Sequence, residues 1–451
     1  MPKITFMGAG STVFARNVIG DCMCRDSLRD ADIALYDIDA ERLEESRFIL
    51  ETLNCNINQG RMKISTYLGE TQRRAALDRA DFAINAIQVG GYDPATITDF
   101  EIPKKYGLRQ TIADTLGIGG IFRALRTIPV MLDFARDMEA VCPDVWFLNY
   151  TNPMAMLTGA MLKATGIRTV GLCHSVQSCV RTLLQTLELD HSPERLAKIK
   201  SRIAGINHMA WLLEISEDGK DLYPELKKIA AAKLEEWRKT PDKSKKSSNM
   251  IRIAMMLHFG FYVTESSEHN AEYSPHWIKH NYPGLIDEWK IPLDEYPRRC
   301  INQLAAWKKE YESLQQDASQ RTHTLSPEYG SGIMEAICTN KPIQIGGNIM
   351  NHGLIDNLPA DAVVEVPCLI DRNGVQGTRV GRLPVQCAAM NMTNINVQLL
   401  TIEAARTHKL DHVYQAAMLD PHTAAELDID TIKRMVDDLI AAHGDYLPKF
   451  C

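Results

Sequence analysis

The alternation of short apolar runs with helical patterns over the first 180 residues constrains the fold more than any other feature of the sequence. Residues Lys3–Ala9 (KITFMGA) predict a strand, and apolar residues at helical spacing follow them. Further strands are predicted at 32–39, 81–87, 145–150 and 168–173. Such alternation is typical of a parallel sheet with helices on both faces, which binds ligands beyond the carboxyl ends of its strands. We therefore predict a Rossmann-type doubly wound α/β sheet.

A glycine-rich turn lies between the first predicted strand and the first helix. Gly8, Gly10 and Ser11 belong to it, and Val13 replaces the third glycine of the usual dinucleotide fingerprint. Glycines let the backbone approach a pyrophosphate, and the helix N-terminus stabilises its charge. Asp37, at the end of the second strand, can accept hydrogen bonds from an adenosine ribose and disfavours a 2′-phosphate. The pattern predicts a dinucleotide site, the alternative being a tight turn without a ligand.

The pattern changes after residue 180. Helical segments such as PELKKIAAAKLEEWRK and IRIAMMLHFGF dominate there, and short strands with turns are expected near 365–384. We predict two units: a Rossmann-like parallel α/β domain of the lactate/malate dehydrogenase architecture at 1–180, and a mixed, mainly helical α+β domain at 181–451.

Charge and composition exclude several classes of partner. The 451 residues include 45% hydrophobic residues and carry a formal net charge of −7 without a lysine- or arginine-rich tract, so we expect no nucleic-acid partner. We find no apolar run of about 18 residues and no secretory-signal pattern, so we expect no membrane partner. Eleven scattered cysteines indicate reduced thiols rather than a disulfide framework. We expect a cytoplasmic protein.

A second glycine cluster occupies residues 117–120 and precedes a helix that carries Arg123 and Arg126. It could form an anion-binding nest, or its glycines could serve only packing. Asp114, just ahead of the glycines, could act in a site or cap the helix.

Chemically active side chains follow two predicted neighbouring strands. Asn152 follows one of them, and Cys173 and His174 end the next; His208 lies 35 residues beyond Cys173. A thiolate and an imidazole suit a soft or borderline divalent ion, and two protein ligands would leave positions open for a substrate. The spacing alone also allows two core residues. The Asn152 amide could bond a sugar hydroxyl or cap the following helix.

Eight motifs spread from residue 4 to residue 398 carry a family resemblance: ITFMGAGS, ADTLGIGG, NYTNPMAM, GLCHSVQ, GINHMAW, TESSEH, GLIDNLP and TNINVQ. With them the chain resembles the NAD- and divalent-metal-dependent glycosidases of glycoside hydrolase family 4, which depart from the usual two-carboxylate mechanism. CHSVQ together with TESSEH is similar to the α-galactosidase (melibiase) branch rather than the 6-phospho-glycosidase branch.

The resemblance implies hydrolysis without net redox. NAD⁺ takes a hydride from C3 of the sugar, a base removes the acidified C2 proton, the aglycone leaves from C1, water adds, and NADH reduces C3 again. NAD and Mn²⁺ are the implied cofactors, with Cys173 and His208 as metal ligands and Asn152 bonding a substrate hydroxyl. The first domain would then bind NAD, and the second would serve substrate, metal and assembly as a homodimer or homotetramer.

The resemblance also implies roles for residues around the base. His174 stands where the phospho-sugar branch has an aspartate proton donor, and it could act as acid or orient the metal. Asp114 matches an acidic position that raises the basicity of the base. The base itself departs from the family pattern, because an ungapped match lands on Ser266. We predict neighbouring Glu265 as the base, with a metal-bound hydroxide as the alternative.

Other functions compete with the α-galactosidase prediction. Within the family these are an α-glucosidase or an α-galacturonidase. From other classes they are a simple NAD-dependent dehydrogenase, which would accumulate NADH, and a non-catalytic NAD-binding sensor, which would tolerate loss of Cys173 and His208.

Overall fold

The computed structural model describes residues 1–316 and 321–451. Within these ranges thirteen strands form one sheet. The strands are β1 (Lys3–Met7), β2 (Asp32–Asp37), β3 (Lys63–Leu68), β4 (Phe82–Asn85), β5 (Trp146–Asn149), β6 (Arg168–Gly171), β7 (Ile199–Ile206), β8 (Met209–Glu217), β9 (Lys220–Asp221), β10 (Tyr262–Val263), β11 (Ile343–Met350), β12 (Val363–Asp371) and β13 (Gly374–Gly377).

Helices cover both faces of this sheet. They are α1 (Thr12–Met23), α2 (Ala40–Asn58), α3 (Arg73–Leu77), α4 (Ile97–Lys105), α5 (Gly117–Val141), α6 (Met154–Ala164), α7 (Ser175–Thr186), α8 (Pro193–Leu196), α9 (Tyr223–Lys239), α10 (Met250–Phe259), α11 (Ser267–Glu272), α12 (Gly284–Glu288), α13 (Glu295–Gln316), α14 (Gly330–Thr339), α15 (Val385–Thr407), α16 (Leu410–Leu419), α17 (Pro421–Glu426) and α18 (Ile429–His443).

The N-terminal half of the sheet is parallel, with strand order β3-β2-β1-β4-β5-β6. This is the order of the Rossmann fold, so the prediction of a doubly wound sheet is confirmed. The five strands predicted from apolar runs correspond to β1, β2, β4, β5 and β6. The sequence analysis missed β3, because its side chains are exposed or half-buried at the sheet edge and form no apolar run.

The C-terminal half extends the same sheet with antiparallel strands. Asn348 of β11 pairs with Gly171 of β6, and β12, β7, β8 and β10 follow in that order. The prediction of a mixed, mainly helical region is confirmed, and β12 matches the first strand expected near 365–384. The second, at VGRLP (380–384), is wrong, because Gly381 makes only an isolated bridge to Ile355 and the following strand is β13, at Gly374–Gly377. The sequence analysis did not find β7, β8 and β11. In β7 the reason is that its first half carries the exposed polar residues Lys200, Ser201 and Arg202, which interrupt any apolar run.

The sheet separates two apolar layers. Phe6 of β1 and Val364 of β12 pack on one face, while Phe147 of β5 packs on the other against Ile121 of α5 and Met156 of α6. Burial of both faces explains the continuous apolar runs of the central strands. Among the described residues, no helix is long and apolar enough to cross a lipid bilayer.

Candidate active site

The turn after β1 has the geometry of a phosphate cradle. Gly8 has φ of 85°, and a Cβ atom there would lie 2.9 Å from the backbone of Ala86, so the position requires glycine. Helix α1 begins two residues after Gly10, and the Ser11 side chain makes no capping hydrogen bond to it. An anion at this helix N-terminus would meet backbone N–H groups and the positive end of the helix dipole.

Asp37 closes this turn from the end of β2. The Gly10 N–H donates to Asp37 Oδ2 at 2.6 Å, and Oδ1 accepts from the N–H groups of Ile38 and Asp39 at 2.8 and 3.0 Å. A Cβ atom on Gly10 would lie 2.9 Å from the same carboxylate. The four residues Gly8, Gly10, Ser11 and Asp37 predicted to bind a dinucleotide therefore meet at one edge of the sheet.

Three potential metal ligands converge three strands away on this edge. The Cys173 Sγ, a ring nitrogen of His208 and a carboxylate oxygen of Glu265 all lie within 4.8 Å of one another. His208 occupies the two-residue turn between β7 and β8, and Glu265 precedes α11. The structure thus brings together the predicted pair Cys173 and His208 and adds Glu265, which we had predicted as the base.

The orientation of His208 suits a ligand role. Its Nδ1 lies 3.0 Å from the Tyr273 hydroxyl, and its Nε2 lies 3.5 Å from Glu265 Oε2. A metal-binding histidine is usually fixed in this way by a hydrogen bond to its other nitrogen. Thiolate, imidazole and carboxylate together form a donor set that fits a borderline divalent cation and leaves positions open for oxygens of a substrate.

Two of these residues hold strained backbone. His208 and Glu265 both have φ of 63°, and Ala113, beside Asp114, has φ of 54°. Residues other than glycine adopt this left-handed conformation at a cost, and such residues concentrate at functional sites. The surrounding packing therefore fixes the directions of the His208 and Glu265 side chains.

Charge at the centre is set by burial. Burial and the nearby Glu365 and Glu265 carboxylates raise the pKa of the Cys173 thiol to about 12. Burial also favours the neutral form of Glu265, but the His269 and His208 imidazoles lower the pKa of this carboxyl to about 2. A thiol in such surroundings loses its proton when it binds a cation. The positive charge of the cation then balances the negative charges of the thiolate and of the Glu265 carboxylate.

A second row of polar side chains adjoins the metal ligands. The Ser266 hydroxyl lies 2.7 Å from His269 Nδ1, and His269 Nε2 lies 3.7 Å from Asp114 Oδ1. Glu265 Oε1 also lies 3.6 Å from His269 Nδ1. Burial lowers the pKa of His269, but Glu265 and Asp114 outweigh this and hold it above its ordinary value. Asp114 therefore reaches the site through His269, which the sequence analysis did not select.

His174 faces a carboxylate contributed by a distant segment. Its Nε2 lies 2.6 Å from Oε2 of Glu328, and the hydrogen bond to this carboxylate raises the pKa of the imidazole. The Tyr329 hydroxyl donates to the Cys173 carbonyl oxygen at 2.9 Å. The sequence analysis missed Glu328 and Tyr329, because only the packing of residues 150 positions apart brings them here.

Asn152 does not cap the helix that follows it. The N-cap of α6 is Pro153, whose side chain makes no capping hydrogen bond. The Asn152 Oδ1 atom is buried and has no hydrogen-bond partner among the described residues. Because a buried polar atom without a partner costs free energy, this oxygen favours a ligand over a purely structural role.

Models of a known family match both halves of the chain. The model described as "Family 4 glycosyl hydrolase" matches residues 3–189, and its C-terminal domain model matches residues 203–423. The chain belongs to family 4 of the glycosyl hydrolases.

Curated relatives and solved structures agree with this assignment. The chain is 58% identical over 450 residues to an α-galactosidase of Bacillus subtilis strain 168, with 100% of both chains covered. It is 33% identical to an α-galactosidase of Rhizobium meliloti strain 1021, covering 99% of this chain and 89% of the relative. A 6-phospho-α-glucosidase from gut microorganisms, solved with NAD and Mn²⁺, shares the fold at 20% identity with a TM-score of 0.80, and 100% of both chains is covered.

The second glycine cluster of this family 4 hydrolase serves packing. A Cβ atom on Gly119 would lie 2.6 Å from the Ala113 carbonyl oxygen, and one on Gly120 would lie 2.7 Å from the Thr115 backbone. Arg126 forms a buried bidentate ion pair with Asp99 at 2.6 and 3.0 Å. The glycines therefore let α5 pack against the loop that carries Asp114, and the data favour packing over an anion nest.

Glu272 fixes the loop of Asp114 in the hydrolase. Its carboxylate accepts the N–H groups of Thr111 and Ala113 at 2.8 Å each and that of Ile112 at 3.2 Å. The side chain is buried, and this burial raises its pKa to about 7. The sequence motif SSEHNAE contains this residue, but nothing in its spacing indicates three backbone partners in a loop 160 residues away.

Another buried carboxylate lies within the sheet. Glu365 Oε1 accepts from the amides of Asn348 and Asn207 at 2.9 and 3.4 Å, while its Oε2 has no partner among the described residues. Burial raises the pKa of Glu365 to about 7. Through Asn207 it contacts the turn that carries His208, so it supports the backbone of a candidate ligand.

Proposed function

We propose that this family 4 hydrolase is an α-galactosidase, dependent on NAD and Mn²⁺, that cleaves terminal α-galactosides of the melibiose type without net redox. The observation that carries the proposal is the convergence of Cys173, His208 and Glu265 within 4.8 Å, on the sheet edge that also holds the dinucleotide turn. The choice of galactoside is supported by 58% identity to the Bacillus subtilis α-galactosidase over the full length of both chains.

The chain offers a candidate binding site for each cofactor. Gly8, Gly10 and Ser11 would hold the NAD pyrophosphate, with Asp37 on the ribose, and Cys173, His208 and Glu265 would hold the metal. Bound NAD would accept and return a hydride at C3 of the sugar while the metal ion polarises the oxygens on C2 and C3. A family structure solved with NAD and Mn²⁺ supports this pair of cofactors.

Two side chains are our candidates for the base that accepts the C2 proton. Glu265 is our first prediction for the base, and its closeness to Cys173 and His208 also supports a role as a third metal ligand. His269 can accept a proton at Nδ1 through the Ser266 hydroxyl, at 2.7 Å, while Asp114 faces its other nitrogen. Because a ligated carboxylate is a weaker base, occupation of Glu265 by the metal would favour His269.

His174 would donate the proton to the leaving oxygen. Its Nε2 is engaged by Glu328 at 2.6 Å, and this contact raises the pKa of the imidazole. The protonated ring would therefore keep Nε2–H on Glu328 and present its second proton at Nδ1. Asn152, whose buried Oδ1 has no hydrogen-bond partner in the part of the chain that the structure describes, would accept a hydrogen bond from a sugar hydroxyl.

The remaining expectations extend the proposal. We propose a division into an NAD-binding domain at 1–180 and a domain for substrate, metal and assembly at 181–451. The family models support it, since one ends at residue 189 and the other starts at residue 203. We propose that the enzyme works in the cytoplasm as a homodimer or homotetramer, with all eleven cysteines as free thiols. Light scattering coupled to size-exclusion chromatography measures the assembly.

A panel of three aryl glycosides tests the proposed specificity. The p-nitrophenyl α-galactoside, α-glucoside and α-galacturonide are each incubated with enzyme, NAD⁺, Mn²⁺ and a thiol reductant. We expect nitrophenol from the galactoside at a kcat/KM at least about 100-fold above the other two, and none when NAD⁺ or Mn²⁺ is omitted. Preference for either of the other glycosides would replace the α-galactosidase assignment by the corresponding family 4 activity.

A further inference from the structure

Helix α1, which begins at the dinucleotide turn, carries a buried carboxylate, Asp21. Asp21 lies in its third turn and is fully buried. Its Oδ1 accepts the Ser326 N–H at 2.8 Å and lies 2.7 Å from His323 Nε2, and its Oδ2 accepts the Ser326 hydroxyl at 2.7 Å. Asp21 therefore binds the segment 323–326 by three hydrogen bonds.

The helix surface beside Asp21 is shaped for this segment. A Cβ atom on Gly20 would lie 2.9 Å from the ring of His323. Glycine in the middle of a helix costs about 1 kcal/mol relative to alanine, so its presence here has a packing reason. Gly20 and Asp21 together form a notch that receives His323 and Ser326.

The same segment continues directly to the active site. The Ser326 hydroxyl, which donates to Asp21, accepts the Glu328 N–H at 3.1 Å. The Glu328 carboxylate contacts His174 Nε2 at 2.6 Å, and the next residue, Tyr329, donates to the Cys173 carbonyl oxygen at 2.9 Å. An unbroken line of hydrogen bonds thus runs from α1 through Ser326 and Glu328 to His174.

We propose that Asp21 is a positioning residue of the active site, which fixes Glu328 through Ser326 and thereby sets the position of the His174 imidazole. The proposal rests on the proposed function, in which His174 is the proton donor. The exposure of His174 supports the proposal. Its side chain is 46% exposed and would sample other rotamers without a fixed partner. Glu328 is itself held at its backbone, and the buried Asp21 is the anchor.

Ser326→Ala tests this series of hydrogen bonds from Asp21 to His174 with little risk to folding. It removes a donor to Asp21 and the acceptor of the Glu328 N–H, while Asp21 keeps its bonds to the Ser326 N–H and His323. The matched control is Glu335→Gln, which weakens the ion pair between Arg25, two residues after α1, and Glu335 of α14 but leaves these hydrogen bonds intact. Asp21→Asn is the second variant, with thermal unfolding measured for each protein.

The first readout does not depend on catalysis. Diethyl pyrocarbonate acylates free imidazole nitrogens, and mass spectrometry of the peptide that contains His174 gives its modification rate in the full-length protein. We expect Ser326→Ala and Asp21→Asn to raise this rate, whereas Glu335→Gln matches the wild type. An unchanged rate in both variants would overturn the positioning role, even if the wild type proved to have no galactosidase activity.

The second readout is a double-mutant cycle on turnover of the aryl galactoside. We expect Ser326→Ala to lower kcat about tenfold with KM and NAD affinity nearly unchanged, since it forfeits part of the factor of about 10²–10⁴ from general acid catalysis. The double variant Ser326→Ala/Glu328→Ala should be no slower than Glu328→Ala alone, because both act on His174. If the effects of the two substitutions on kcat instead multiply in the double variant, Ser326 does not act through Glu328, and the proposal is contradicted. Failure of the proposed function itself would show as wild-type enzyme without nitrophenol release.

Discussion

The Nε2 atom of His208 lies 3.5 Å from the Oε2 atom of Glu265, although the two residues come from the β7–β8 turn and the segment before α11. Both hold left-handed backbone, and Cys173 completes the set at the end of β6. Two separate segments of the chain therefore carry backbone strain at one small cluster of donor atoms. Metal binding is the role that we propose for these groups.

Cys173→Ser separates the metal site from the dinucleotide site. We expect NAD to bind with unchanged affinity, while the affinity for Mn²⁺ falls by more than about 100-fold, since loss of even an outer-shell partner costs about 10–100-fold. Turnover should be abolished. Calorimetry with NAD and competition with a metal chelator measure the two affinities. Retained turnover in metal-free buffer would contradict the ligand role of Cys173.

Glu265→Gln and His269→Ala distinguish a metal ligand from a base. We expect Glu265→Gln to weaken Mn²⁺ binding at least about tenfold. His269→Ala should retain the metal but lose exchange of the sugar C2 hydrogen with solvent deuterium, because a base must remove that proton. Mass spectrometry of the product in heavy water measures the exchange. The opposite pattern, with metal binding intact and exchange lost in Glu265→Gln, would make Glu265 the base.

Glu272→Ala tests the support of the Asp114 loop. The change leaves the N–H groups of Thr111, Ile112 and Ala113 without their acceptor, and each unsatisfied buried group costs about 1–3 kcal/mol. We expect the free energy of unfolding in urea to fall by about 3 kcal/mol or more. The control is Glu268→Ala on the same helix, whose ion pair with partly exposed Arg299 is worth about 0–1 kcal/mol. Equal losses of unfolding free energy in Glu272→Ala and Glu268→Ala would show that the three backbone hydrogen bonds to Glu272 stabilise the protein no more than the ion pair does.

Much of the dinucleotide half could be predicted from the sequence alone. Its strands are buried on both faces, so their apolar runs are visible, and the glycine turn has a local spacing that fixes Gly8, Gly10 and Asp37. Cys173 was identifiable because it ends a predicted strand, and His208 because it lies in the motif GINHMAW of the family resemblance. Their meeting with Glu265 followed only from the structure, since it depends on the antiparallel half of the sheet.

Supporting residues had no local signature. Glu272, Glu328 and Asp21 are single acidic residues in ordinary helical or loop sequence, and their partners lie 150 or more residues away. Their roles arise from packing, which spacing cannot encode. The same holds for β3, whose exposed edge position leaves no apolar pattern.

The ion pairs of Asp137 with Arg73 and Arg74, remote from the active site, predict a pH effect on stability. Burial favours the neutral acid, but hydrogen bonds from the two guanidinium groups lower the pKa of Asp137 below its ordinary value. Its contribution is therefore complete above the unfolded pKa of about 3.9 and is lost as pH falls through the lower folded pKa. We expect the Tm of wild type to exceed that of Asp137→Asn at pH 7 and the difference to shrink below about pH 4. A difference that is constant from pH 7 to pH 3 would contradict this account.

Simultaneous recording of nitrophenol and NADH tests the central claim, α-galactoside hydrolysis through transient oxidation, most directly. Enzyme, NAD⁺, Mn²⁺ and reductant are mixed with p-nitrophenyl α-galactoside in heavy water, and the galactose is then analysed for deuterium at C2. We predict steady nitrophenol release without accumulation of NADH, and deuterium at C2 of the product. Steady accumulation of NADH without nitrophenol, or hydrolysis that leaves C2 unlabelled and proceeds without NAD⁺, would contradict the account.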